Sequence, residues 1–227
     1  MHAITPLPDW ALKRSRTTFR FDSIDPARAA LLVIDLQESF LASGRRAALL
    51  YGLPIIPNVN RLIEAARDAG MKVIFLRQTF TWDGAATDLA PWQQQAAPPV
   101  IAARRTMTAG HPGHEVYGGL DHRPGDLVID KYRQSAFIHG SSDLQTHLRA
   151  LGIDSLVITG ALSNACCEST SRDAYALGYR VYFIADATAA MSDEEQNATL
   201  LNVAVTSGAV IDTDTMLAML DAHRGRP

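Results

Sequence analysis

Three residues of this chain have the types and positions that a thiol-based reaction needs. Cys166 lies in SLVITGALSNACCESTSRDAYALGY, where an apolar run gives way to a helical one, while Asp35 closes the run LLVID and Lys131 closes LVIDK. A thiol is a nucleophile, a carboxylate can take and return its proton, and an ammonium can steady the thiolate and orient the carboxylate. With Ser163 or Asn164 as helix cap, Cys166 falls in the first helical turn. Unpaired amides and the helix dipole favour a thiolate there, and Lys131 nearby would lower the thiol pKa further. Backbone amides of the turn, that of Cys166 included, are available to an oxyanion. Each residue alone has a plainer reading: a cysteine as a small core hydrophobe, an aspartate capping a helix, a lysine at a solvated strand end. The combination favours chemistry.

For the three to meet, the elements that carry them must be neighbours. Short apolar, β-branched runs recur at 30–35, 72–77, 126–131, 155–160, 180–186 and 209–212, and helical spacing appears at 58–69, 142–151, 164–177 and 193–207. The alternation predicts a doubly wound, Rossmann-like α/β fold, a six-stranded and mostly parallel sheet with helices on both faces. Ligands of such sheets gather beyond the carboxyl ends of the strands, where Asp35, Lys131 and the turn at 160–167 fall. The stretches 38–57 and 78–125 read as irregular, the second carrying Trp82, Trp92, Arg104, Arg105, His111, His114 and Tyr117; loops of that length are usually functional or interfacial. Residues 1–28 show no clear element and read as an N-terminal arm over the domain or a neighbouring subunit, with Trp10 as anchor. One domain is expected over residues 1–227.

Composition narrows the partners. A formal net charge of -3 and a pI of about 6.1 give no electrostatic reason to expect nucleic acid, which leaves a small-molecule substrate. The two cysteines, Cys166 and Cys167, are adjacent and cannot staple distant segments, which fits a reducing cytoplasm. No segment approaches the roughly 20 apolar residues of a membrane span, so no membrane partner is expected.

The motifs around the three residues resemble those of the isochorismatase-like cysteine hydrolases, over nearly the whole chain from about Ala29. The D-x-Q pattern is Asp35, Leu36 and Gln37; K-x-x-x-S-x-F is Lys131, Ser135 and Phe137; and G-x-x-[ST]-N-x-C-x-E-S-T-x-R-D-A runs from Gly160 to Ala174. The resemblance implies an Asp35, Lys131 and Cys166 triad, a thioester intermediate, and water activated by the same aspartate. It also implies a non-proline cis peptide between Ala161 and Leu162 that turns the Leu162 amide toward the oxyanion, and a homo-oligomer, dimer or tetramer. Within the family the C-x-E-S-T-x-R-D and K-x-R-x-S-x-F forms look most like ureidoacrylate-type and related linear-amide hydrolases. Gln134, Leu162, Ser163 and Cys167 depart from common family residues, which puts the pocket rather than the machinery in question. The segment RQTFTWDGAATDL lacks the histidines of metal-dependent nicotinamidases, and isochorismatases proper lack the cysteine. An ether or ester hydrolase on the same scaffold, or a catalytically silent binding subunit, stands as the alternative.

Proximity in sequence nominates Gln37, Phe40, Gln78, Trp82, Tyr132, Ser135, Phe137 and Asn164 as substrate-binding residues, and no cofactor or metal is expected. His111 and His114 have a metal-binding spacing but no third ligand in a recognised pattern. Cys167 faces another side of its helix and reads as a packed core thiol. Arg172 and Asp173 read as structural, turned into the fold or a subunit contact.

Overall fold

A computed structural model describes residues 1–19, 21–42, 51–83, 86–87 and 90–224. In chain order its elements are α1 (Asp9–Thr18), β1 (Ala29–Ile34), α2 (Glu38–Leu41), α3 (Gly52–Asp68), β2 (Lys72–Gln78), a two-stranded ribbon of β3 (Trp82–Asp83) and β4 (Ala86–Thr87), α4 (Pro91–Gln94), α5 (Pro98–Arg105), β5 (Leu127–Lys131), α6 (Leu144–Ala150), β6 (Ser155–Ala161), α7 (Glu168–Ala176), β7 (Arg180–Ala189), α8 (Asp193–Thr206), β8 (Ala209–Ile211) and α9 (Thr213–Arg224). Six strands form one sheet in the order β5-β2-β1-β6-β7-β8, and every pairing in it is parallel.

The period-two alternation of a strand divides the core into two layers. Leu31, Val33, Val73, Phe75, Val157, Tyr182 and Ile184 face one side, against Ile55, Val59, Leu62 and Ile63 of α3 and Met216 and Leu220 of α9. Ala30, Leu32, Ile34, Ile74, Leu76, Leu156, Ile158, Val181 and Phe183 face the other, against Leu144 and Leu148 of α6, Ala174 of α7 and Leu200 and Val203 of α8. Strand β1 is buried along its whole length, as a central strand covered on both faces must be.

The chain builds outward from β1 through β2 to β5, then returns to lay β6 on the other side of β1. The reversal places the carboxyl ends of β1 and β6 side by side, with β5 reached across β2. Gly160 makes the close approach feasible. Its φ is +117°, and a side chain there would overlap the Ile34 carbonyl oxygen and lie 2.6 Å from Ile34 N.

Three segments differ from the sequence reading. Residues 9–18 form a helix whose only fully buried side chain is Ala11, so no apolar stripe announces it. Helix α3 begins at Gly52, not after Pro57, which lies inside it and, having no N–H, gives no helical hydrogen bond to the Leu53 carbonyl. The stretch 78–125 carries the ribbon, two short α-helices and a 3-10 turn at Pro112–His114. Among the described residues no helix is long and apolar enough to cross a membrane.

Candidate active site

Asp35 is the first residue past β1, and its backbone takes a φ of +55°, the left-handed region that aspartate adopts more readily than most side chains. The turn drops its carboxyl into the interior, where it is 1% exposed. Lys131, the last residue of β5, is fully buried and brings Nζ to 2.8 Å from Asp35 Oδ2. Both Lys131 and Cys166 hydrogen-bond toward the Asp35 carboxylate. Nζ also donates to Gln78 Oε1 at 2.8 Å and the Arg133 carbonyl at 3.2 Å. Gln78 ends β2 in register with Lys131, so the parallel pairing sets up that bond.

Past β6 the peptide joining Ala161 to Leu162 is cis. Residues Ser163–Cys167 then make one π-helical turn, with Cys167 N bonded to the Leu162 carbonyl at 3.1 Å, before α7 begins. The turn has no side-chain cap. The expectation that Ser163 or Asn164 caps it does not hold: the Ser163 hydroxyl is buried and donates to Gln196 Oε1 at 2.6 Å, and Asn164 is exposed. The Cys166 thiol faces both Asp35 and Lys131.

The electrostatics of the three groups reverse one expectation. Burial pushes the Cys166 thiol up to about 12, Asp35 adds to the rise, and Lys131 only partly opposes it. The thiol is not acidified at rest, because desolvation of a thiolate outweighs one ammonium shared with a carboxylate. Burial also raises Asp35 above the usual carboxylate range against the pull of Lys131 and hydrogen bonding from Cys166. For Lys131, burial acts to lower the pKa, but Asp35 and then Cys166 more than offset it, so the ammonium holds its proton more firmly than usual.

A cavity of about 650 Å³ opens beside the cluster, with Gln78, Phe80, Trp92, Tyr132 and Ser135 in its wall. Of the residues nominated by sequence, Gln78, Tyr132 and Ser135 line it; the Trp82 side chain lies outside the described residues. Gln37 does not line it: it is fully buried, donating Nε2 to the Gln78 and His114 carbonyls at 3.2 and 2.9 Å and accepting from Gln78 N at 2.8 Å. Phe40 packs on the first core layer, and Phe137 on the second, its ring 5.6 Å from Tyr179. Tyr117 packs on the first layer, whereas Trp92, 72% exposed, stands at the cavity.

His114 is buried, with Nε2 2.8 Å from Thr79 Oγ1, and burial lowers its pKa with help from Arg77. His111 Nδ1 accepts from Gly113 N at 2.9 Å. Both histidines therefore fasten the loop after α5. Among the described residues no group of three His, Cys, Asp or Glu is placed to hold a metal. Cys167 is fully buried in the second core layer. Arg172 and Asp173 do not turn into the fold: both line the cavity, with Arg172 held by Glu168 Oε1 at 2.7 Å.

Sequence reasoning missed Gln196. It is fully buried on α8, accepting from Ser163 and donating Nε2 to the Ala185 carbonyl at 3.0 Å and Thr188 Oγ1 at 3.1 Å, so it ties the Cys166 turn to β7. The signal was a glutamine on the stripe that continues with Leu200 and Val203; a polar residue on a buried face needs partners.

Comparison with known proteins agrees with this geometry. Ureidoacrylate amidohydrolase RutB of Serratia proteamaculans is 32% identical over 213 residues, 87% of this chain and 84% of that protein. Nicotinamidase 3 of Arabidopsis thaliana is 31% identical over 188 residues, 83% of this chain and 86% of that protein. A cysteine hydrolase from Pseudomonas syringae pv. phaseolicola superposes with a TM-score of 0.80 at 28% identity, covering 88% of this chain and 95% of that one. The isochorismatase domain matches residues 29–215, and with the parallel six-stranded sheet this establishes that the chain belongs to the isochorismatase family of hydrolases.

Proposed function

We propose that this protein hydrolyses a carbon–nitrogen bond of a small linear amide, ureide or carbamoyl compound, with Cys166 as nucleophile. The observation that carries the reading is the buried charge cluster at three strand ends, where a thiol and a carboxylate share the field of one ammonium with Nζ 2.8 Å from Oδ2. A structural ion pair has no need of an adjacent thiol, and a core thiol has no need of a buried ion pair. The names of the amidohydrolase and nicotinamidase relatives support cleavage at a carbon–nitrogen bond.

As the thiol proton passes to Asp35, Sγ bonds to the substrate carbonyl carbon, and the backbone amides of Leu162 and Cys166 hold the oxyanion. The tetrahedral species collapses, the carbon–nitrogen bond breaks, and the leaving amine takes the proton from Asp35, which leaves a thioester. Water then attacks that carbonyl while giving a proton to Asp35. Collapse breaks the carbon–sulfur bond, the departing sulfur recovers the proton, and the acid product leaves. Where the acyl group is carbamoyl, the product breaks down to carbon dioxide and ammonia. Lys131 stays charged throughout, steadying whichever of Asp35 and Cys166 carries the negative charge. A resting thiol suits this scheme, because the proton moves only when an electrophile is present.

The test is ammonia release from a panel of small amides, ureido acids, carbamoyl amino acids and nicotinamide by wild type and Cys166→Ala. Release from a linear carbamoyl or amide class, lost by at least about a thousandfold in the variant, is the expected result. Full turnover by Cys166→Ala, or release of an alcohol or enol in place of ammonia, overturns it.

A further inference from the structure

Among the described residues, the cavity beside the cluster is lined by three guanidiniums, Arg104, Arg133 and Arg172, against one carboxylate, Asp173. These are not equivalent. Arg172 is largely neutralised by Glu168, which accepts from both Nε and Nη2. Arg104, on α5, is half-buried and has no carboxylate partner among the described residues; Nη1 donates to the Gln93 carbonyl at 2.8 Å, and the guanidinium lies 5.7 Å from the centroid of the Phe80 ring. The carbonyl and the ring fix the plane of the group without cancelling its charge. A partly desolvated cation with no counter-charge among the described residues is costly to keep, and that cost is recovered when a ligand carboxylate meets the remaining N–H groups.

The cavity wall stands one side chain from the cluster, since Gln78 both lines it and accepts from Lys131 Nζ. About 650 Å³ is within the range that small molecules occupy. We infer that Arg104 anchors a carboxylate at the end of the substrate remote from the scissile carbonyl, so that the site selects carbamoyl or amide acids over neutral amides; this rests on the hydrolase reading above. Arg104 is a specificity residue in this scheme, held ready by Phe80 and Gln93, and is not part of the bond-breaking machinery.

The experiment compares binding of 3-ureidopropionate and of propylurea, its neutral counterpart, to Cys166→Ala protein by calorimetry, with Arg104→Gln and Arg104→Lys made in the same background. The anchor predicts that the acid binds about tenfold or more tighter than the neutral ligand, that Arg104→Gln removes this difference while leaving propylurea within about twofold, and that Arg104→Lys keeps part of it. The preference also shrinks as salt is raised. Equal binding of the pair, including no measurable binding of either, overturns the anchor, as does equal weakening of both ligands by Arg104→Gln, which marks a merely structural arginine. Cys166-dependent ammonia release with no charge preference defeats the anchor and spares the hydrolase reading. A charge preference with no Cys166-dependent turnover does the reverse.

Discussion

At Cys166 two neighbours act in opposite senses, Asp35 raising the thiol pKa and Lys131 lowering it, while burial decides the balance at about 12. Replacing Asp35 by Asn removes the opposing charge and leaves Lys131 beside the sulfur. Asp35→Asn is therefore expected to react faster with iodoacetamide near pH 7 than wild type while losing turnover; slower alkylation would show that Asp35 draws the proton off the resting thiol. The same pKa has a sign for stability. Between about pH 9, where an unfolded cysteine loses its proton, and about 12 the folded chain binds more protons than the unfolded one, so stability falls as pH rises through that window. Cys166→Ala lacks this loss, and its melting temperature should decline less than that of wild type between pH 8 and 10. That Asp35, Lys131 and Cys166 would meet was legible from motif spacing, because a residue at a strand end has one place to go. The protonation of the thiol was not: helix position and a nearby lysine are visible in a sequence, but the enclosure of the sulfur depends on segments far apart in the chain.

Elements carry these groups, and two residues outside the cavity wall brace them. Gly160→Ala would drive a methyl group into the backbone of β1 at a φ that L residues rarely adopt, for a loss of about 2–4 kcal/mol in chemical denaturation. Gln196→Leu would strand the buried Ser163 hydroxyl and the Ala185 carbonyl, costing about 1–3 kcal/mol. If Gln196 holds the Cys166 turn, the variant also lowers kcat more than it raises KM; unchanged kcat would limit Gln196 to stability. Strands were the easiest elements to foresee, since runs buried on both faces are apolar throughout, as β1 is. Helices α1 and α3 were harder for opposite reasons. DWALKRSRTT lays almost nothing on the core, and Pro54 and Pro57 imitate a loop at the start of α3.

Across the whole molecule, the first residues are bound to the same helix that carries Gln196. His2 sits 2.7 Å from Asp193 through Nδ1 and accepts from Ala190 N through Nε2, Asn197 Nδ2 donates to the Ala3 carbonyl, and α1 packs on α8. The anchors are His2 and Ala11 rather than Trp10, which is 58% exposed. Deleting residues 1–19 should lower the melting temperature and, through α8, reduce kcat; a truncated protein with wild-type kcat would separate the N-terminal segment from the site. The strand order has a further consequence for how the protein is made. Strand β1 needs β6 as its second neighbour, and β6 leaves the ribosome only after all of β2, β5 and the helices between them. At about 5–20 residues per second, a wholly apolar strand waits on the order of ten seconds with one edge unpaired. Yield in rapid overexpression is then set by how well incomplete chains are shielded, and starting fewer chains at once, which thins them out without lengthening the wait of each, favours the finished protein more than any gain in its final stability.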